Sequence, residues 1–316
     1  MKAVALNKFG GVEQLHLTEI PTPQPGLNEV QIQVEYTAIN PVDWKICSGS
    51  FQKIPHKFPL IPGWDAAGKI SAVGKNVTKF KVGDEVYAYC RKPTVQWGTY
   101  AEFVCFDAEH VALKPKKLNF AQAAAIPLVG LTAWQGLFDQ AKLKRGESIL
   151  IHGGAGGVGS LAIELAKNAG ATIYTTASKN NHDYVKKLGA NFAIDYTSED
   201  FVKKIKSSFP QGIDVVLDCV GGETLEKSYQ ILKPKGRLVS IVNKPDEEKC
   251  KKYNITGSIF MVEPNGNQLK QLAELIDQGK IHAPHIKELP LSQFAEAQEE
   301  NRKGHTRGKI VLRVIS

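Results

Sequence analysis

Ser148-Ile149-Leu150-Ile151-His152-Gly153-Gly154-Ala155-Gly156-Gly157-Val158-Gly159 is the stretch that decides the fold. A short apolar run leads into glycines, and Val158 to Ala169 then carries helical spacing that stops at Gly170. Thr172 to Ala177 is β-branched and strand-like. The quoted residues are therefore the turn of a strand–helix–strand unit. Gly154, Gly156 and Gly159 satisfy G-x-G-x-x-G. One glycine permits a tight turn, one lets the backbone approach a pyrophosphate, and one lets helix and strand pack closely. The helix N-terminus adds free N–H groups and a partial positive charge. A glycine-rich turn alone is a weak signal. The flanking strand, helix and second strand turn it into a dinucleotide site, with Gly153, Gly154, Ala155, Gly156, Gly157, Val158 and Gly159 as candidate binding residues.

Downstream, Tyr184 to Leu188 reads as helix, and Ala193 to Tyr196, Val215 to Asp218, Leu238 to Val242 and Ser258 to Val262 read as short strands. Strands alternating with helices predict an α/β domain with a doubly wound parallel sheet. Upstream the texture differs. Val30, Ile32, Val34 and Tyr36 alternate with Gln31, Gln33 and Glu35, and turn signals such as Pro62-Gly63 and Gly83-Asp84 follow closely. Met1 to about Lys117 is thus read as a barrel-like β-rich body. Leu269 to Ile276 is an amphipathic helix. Lys309 to Ile315 alternates again, in a pattern that can return to the first sheet.

The chain has 316 residues, 42% hydrophobic and 23% charged, which fits about two soluble globular domains. Disorder and a disulfide-stapled miniature are excluded. The net charge of +8 selects neither nucleic acid nor any other anion. Five cysteines, none within fourteen residues of another, exclude a zinc ribbon and argue against a secreted disulfide framework. The N-terminus has no signal-peptide pattern, and the apolar stretch Ala121 to Ala133 is interrupted by Gln122, Pro127 and Gly130. It falls short of the roughly 20 residues a membrane span needs. A reducing, cytoplasmic location is expected.

A site for NAD places Asp or Glu about 20 residues past the loop, on the ribose hydroxyls. Here that count reaches Ser178 and Lys179, with no carboxylate before Asp183. A hydroxyl and an ammonium suit the 2′-phosphate of NADP, which a carboxylate would repel. NADPH is therefore the expected cofactor. The alternative is that Lys179 is a solvated loop lysine and discrimination is weak.

Further landmarks carry a resemblance. They include Asn40-Pro41-Val42-Asp43, Pro62-Gly63-Trp64-Asp65-Ala66-Ala67-Gly68, Phe80-Lys81-Val82-Gly83-Asp84-Glu85-Val86 and Gly98-Thr99-Tyr100-Ala101-Glu102. Ala124-Ala125-Ile126-Pro127, Lys187-Leu188-Gly189-Ala190 and Gly308-Lys309-Ile310-Val311-Leu312 follow, in order, over nearly the whole chain. The sequence resembles the medium-chain dehydrogenase/reductase superfamily, in its zinc-free quinone oxidoreductase (zeta-crystallin-like) branch. The resemblance implies a GroES-like domain over 1–122 plus 261–316, a Rossmann NADP-binding domain over 123–260 inserted into it, an active site in the cleft between them, and a homodimer.

Departures from the zinc-dependent members matter. Asn40 stands where their first cysteine ligand would be, and Gly63-Trp64-Asp65 replaces Gly-His-Glu. An amide and an indole are poor zinc ligands, so no metal is expected. Without a Lewis acid, a conjugated acceptor is the easier electrophile. The reading is an NADPH-dependent reductase of quinones, enones or alkenals. The alternatives are a 2-enoyl-thioester reductase and an NADPH- or RNA-binding protein of crystallin type. Lys249-Cys250-Lys251-Lys252 is a small basic cluster without aromatic interleaving, which argues against nucleic acid.

The resemblance also implies roles. Asn40 would hydrogen-bond ribose or substrate, or else simply form a turn before Pro41. Asp43 would orient that loop, or else cap a helix. Thr132 would enter the helix near the nicotinamide, or else cap it. Tyr196 would touch the adenosine 2′-phosphate, or else pack on the sheet. Val220, Gly221 and Val242 would line the cofactor trough at the strand ends, with Phe260 and Val262 beside the nicotinamide. Trp64 and Tyr89 would shape the substrate pocket, or else belong to the core. No general acid stands out: Tyr100 is a weak candidate because its surroundings read as strand, and Cys47 is a bystander.

Overall fold

The computed structural model describes residues 1–315. The chain folds as two units, one of Met1–Leu131, Glu263–Gly279 and the chain from Ala283 onward, the other of Thr132–Val262 with Lys280–His282. The first change of unit falls after Leu131, beyond the expected 122. The reason is apolar packing: Ala121 and Ala125 join Ala38 and Val311 in one cluster of the first unit.

The second unit is a six-stranded sheet in the order Phe192–Ile194, Thr172–Thr176, Ser148–Ile151, Ile213–Asp218, Leu232–Ser240, Thr256–Ile259, parallel throughout. Its central strands are continuous apolar runs, and Ile149, Leu150, Ile151, Val215, Val216 and Leu217 are all fully buried, as helices on both faces require. The helix Gly157–Asn168 turns Leu161, Ile163 and Leu165 into this core. Two strands differ from the sequence reading. Leu232–Ser240 begins before the expected Leu238 and ends before Val242, and it absorbs Lys233-Pro234-Lys235-Gly236 as an irregularity in register between Ile213 and Val215. The edge strand ends at Ile259 rather than Val262, so Phe260 and Val262 lie past its carboxyl end.

The first unit is a seven-stranded, mainly antiparallel sheet. Strand Glu29–Ala38 is its hub, pairing with Asp65–Val73, Phe103–Asp107 and the C-terminal strand Lys309–Arg313. Val30, Ile32 and Val34 point into a core with Ile70, Val86, Val104 and Phe106. The alternation seen in the sequence is thus a half-buried sheet face. The C-terminal strand pairs Val311 with Ala38 and Leu312 with Thr37. Continuing that register sets Lys309 against Asn40. Among the described residues no helix is long and apolar enough to cross a membrane.

Candidate active site

The glycine loop sits between strand Ser148–Ile151 and helix Gly157–Asn168. Gly153 takes φ +71°, which a side chain disfavours. A Cβ on Gly154 would run into Thr175 Oγ1, and one on Gly159 into the carbonyl of Gly153. Those glycines are demanded by the chain itself. Gly156 is different. Its φ is −79°, and a Cβ there would meet nothing closer than the Gly153 carbonyl at 3.4 Å. The fold does not need glycine at 156, so that space suits a ligand brought against the backbone. The first-turn amides of Gly157 and Val158 have no intrahelical partners, and that turn carries no acidic side chain. An anion fits there, as a dinucleotide pyrophosphate requires.

The neighbouring strand ends complete this side. Thr176 pairs with Ile194, and Ala177 N–H donates to Ile194 O at 3.0 Å. Ser178 and Tyr196, each two residues further on, thereby come to the same sheet end, with Lys179 exposed beside them. Tyr196 is half-exposed. On the other side, buried Asp218 closes its strand by accepting Val220 N–H (3.0 Å), Gly221 N–H (2.9 Å) and the Ser240 hydroxyl (2.8 Å). Val220 and Val242 then stand exposed just past their strands. Phe260 is half-buried and Val262 buried. Thr132 is not at a helix entry. The helix starts earlier, at Pro127, where proline is tolerated, so Thr132 lies buried inside it.

The first unit contributes a buried polar network. Asn40 precedes helix Pro41–Cys47, and Asp43, third in that helix, accepts the Asn40 N–H at 2.8 Å. The Asn40 amide donates to Asp65 Oδ2 at 2.7 Å and to Ala38 O at 3.3 Å, and its oxygen accepts from Lys309 Nζ. This orientation is chemically unique, since a flipped amide would set oxygen against carboxylate and NH2 against ammonium. Both amide protons are engaged within the protein, so the part open to Asn40 is positional more than that of a donor. Lys309 also donates to Ile39 O at 2.7 Å and lies 3.6 Å from Asp65 Oδ2, and Leu128 N–H donates to Asp65 Oδ1 at 2.7 Å. Burial pushes the Asp65 carboxyl up and the Lys309 ammonium down, and each opposes the other's shift. The hydrogen bonds on both favour their charged forms.

Tyr100 is fully buried, in a bend rather than a strand, and donates to Asp43 Oδ2 at 3.0 Å. Burial, aided by the Asp43 charge, holds its phenol well above the usual range. Burial likewise raises Asp43 to about 7, offset in part by the Asn40 N–H, Lys309 and Tyr100. Trp64 and Tyr89 are buried, edge to face with centroids 5.9 Å apart, and the Tyr89 hydroxyl has no protein partner. Cys47 is buried and its thiol pushed up to about 12 by burial, the state of an inert thiol. All five cysteines are free. Among the described residues no three His, Cys, Asp or Glu side chains converge as a metal site.

Sequence reasoning missed Asp65, Lys309 and Thr176. The first two lie inside quoted landmarks, but a lone Asp or Lys carries no local sign that it will be buried.

A parallel sheet with this cradle, carried between two segments of a β-unit, is the organisation of reductases and dehydrogenases that use a nicotinamide dinucleotide. Residues 26–116 match the alcohol dehydrogenase GroES-like domain, and residues 188–312 match the family described as zinc-binding dehydrogenase. The NADPH-dependent alkenal/one oxidoreductase, chloroplastic, of Arabidopsis thaliana is 37% identical over 99% of this chain and 79% of its own. The quinone oxidoreductase from Coxiella burnetii is 35% identical with TM-score 0.89, over 100% of this chain and 99% of that one. The CurK enoyl reductase has TM-score 0.89 at 30% identity, over 99% and 98%. The chain belongs to the medium-chain dehydrogenase/reductase superfamily, in the branch of quinone oxidoreductases and alkenal reductases, and is an oxidoreductase.

Proposed function

We propose that the chain is an NADPH-dependent reductase of quinones or of conjugated enones and alkenals that works without zinc. The observation that carries this is the Gly156 cradle, shaped for a ligand at a helix N-terminus, in a chain whose relative is an NADPH-dependent alkenal/one oxidoreductase. When bound, NADPH supplies the hydride. The protein's own part is binding and orientation. Gly157 and Val158 N–H groups would hold the pyrophosphate, Ser178, Lys179 and Tyr196 the ribose phosphate, and Val220 and Val242 would flank the nucleotide. In the first unit, Lys309 and Asp65 hold Asn40 in one rotamer, and Asp43 with Tyr100 fixes the turn that carries it. Zinc independence rests on the residue types at 40 and 64. The cytoplasm is the location we favour, because five free thiols suit a reducing compartment. A homodimer follows from the resemblance alone.

A second reading, a 2-enoyl-thioester reductase, draws support from the likeness to the CurK enoyl reductase. The test is NADPH consumption on a panel of quinones, alkenals, enones and crotonyl thioesters after chelator treatment. Turnover of quinones or alkenals that survives the chelator supports the proposal. Activity that needs added zinc overturns it, and activity confined to thioesters establishes the second reading.

A further inference from the structure

His152 is fully buried at the foot of the glycine loop, where phosphate contact is impossible, yet both its ring nitrogens are hydrogen-bonded. The direction of those bonds can be derived. Ser228 Oγ has one proton, and it goes to Thr224 O at 2.7 Å. His152 Nε2 lies 3.0 Å from the same Oγ, so Nε2 must be the donor. Burial keeps the ring neutral, its pKa pushed down to about 4 against the opposing pull of Asp218. Nδ1 is then a lone-pair acceptor, and the Thr176 hydroxyl, 3.2 Å away, donates to it. With its proton so directed, the Thr176 oxygen has lone pairs left for Gly153 N–H at 3.1 Å. The Thr176 carbonyl accepts Gly154 N–H at 3.0 Å. One residue thus clasps the first two amides of the loop, and the imidazole decides which way its hydroxyl points. In the opposite tautomer Nδ1–H and Gly153 N–H would both donate to the Thr176 oxygen, and the Thr176 proton would lose this acceptor.

We propose that His152 is a positioning residue for the dinucleotide: as a neutral imidazole protonated on Nε2, it orients the Thr176 hydroxyl so that Thr176 holds Gly153 and keeps the loop in its ligand-accepting shape. The inference rests on the dinucleotide reading above. His152 acts through Thr176, so the effect belongs on cofactor binding and not on the chemical step.

The test compares four variants by NADPH affinity, by KM and kcat on a quinone, and by Tm of the cofactor-free chain. Thr176→Val keeps the shape of the side chain and removes its hydroxyl. His152→Phe keeps a ring and removes both nitrogens. Thr176→Ser restores the hydroxyl. Phe201→Leu thins the packing on the same imidazole, whose ring lies 4.7 Å from Phe201, and leaves every hydrogen bond in place. Thr176→Val and His152→Phe should raise Kd and KM for NADPH by about tenfold, the effect of losing one hydrogen bond that holds the half-buried loop. Their kcat at saturation should stay within about twofold of wild type, as should the NADPH affinity of Thr176→Ser. Phe201→Leu should lower Tm without moving Kd. The proposal fails if Thr176→Val and His152→Phe bind NADPH as tightly as wild type, or if Phe201→Leu weakens binding as much as they do. A wild-type chain that binds no NADPH refutes the cofactor reading instead, and this inference with it.

Discussion

The Lys309 ammonium donates to the Asn40 amide oxygen across 269 positions of sequence. The same ammonium is 3.6 Å from Asp65 Oδ2, and all three side chains are buried. Removing the cation strands a carboxylate in the core. Lys309→Met should therefore destabilise the fold by about 3–5 kcal/mol in a denaturant titration. Adding Asp65→Asn should recover a large part of that loss, because no uncompensated charge then remains. Equal stability of the single and double variants would contradict the pairing.

Asp43 makes stability depend on pH in an unusual sense. Its folded pKa of about 7 lies above that of an unfolded carboxyl, about 4. Between those values the native state holds a proton that the unfolded chain has released, so stability declines as pH rises through the window. His152 works the other way. Held at about 4 against an ordinary 6.5, it costs stability as pH falls through that range. The two trends oppose each other, so a difference measurement isolates the first. The Tm of wild type minus that of Asp43→Asn should fall from about pH 5 to about pH 8. A difference that does not vary with pH would rule out the raised carboxyl.

Lys179 stands exposed at the strand end where we propose that the 2′-phosphate binds. Lys179→Ala should lower the preference for NADPH over NADH by about tenfold, with NADH affinity unchanged. Competitive titration of both coenzymes reads this directly. Equal loss for both would mean that Lys179 does not read the phosphate.

Gly154 and Gly156 should separate stability from binding. A methyl at 154 meets Thr175 Oγ1, itself held by Ile151 O at 2.7 Å, so Gly154→Ala should lose about 1–3 kcal/mol of stability. A methyl at 156 meets only ordinary van der Waals contact in the protein. Gly156→Ala should keep its Tm in the cofactor-free chain and lose NADPH affinity by about tenfold or more, because the methyl occupies ligand space. Unimpaired binding by Gly156→Ala would show that the cradle does not hold the pyrophosphate.

The glycine loop, the alternation of strands with helices and the half-buried strand around Val30 were all legible in the sequence. Each is a local pattern, set by turn chemistry and side-chain period within a window of roughly ten to twenty residues. Thr132, the bounds of the last two parallel strands and the place where the units divide were not. They depend on which apolar face finds a partner, as when Ala121 and Ala125 pack on Ala38 and Val311.

The primary sequence alone determined that a βαβ unit would offer a phosphate cradle, because the glycines, the helix start and the flanking strands are contiguous. Only the tertiary structure decided that Lys309 and Asp65 would lock Asn40, and that His152 would set Thr176 against Gly153. Register between distant strands brings those groups together, and a lone lysine or histidine in a sequence does not announce whether it will be desolvated. Burial then makes each hydrogen bond obligatory, and so gives each of these side chains a single orientation.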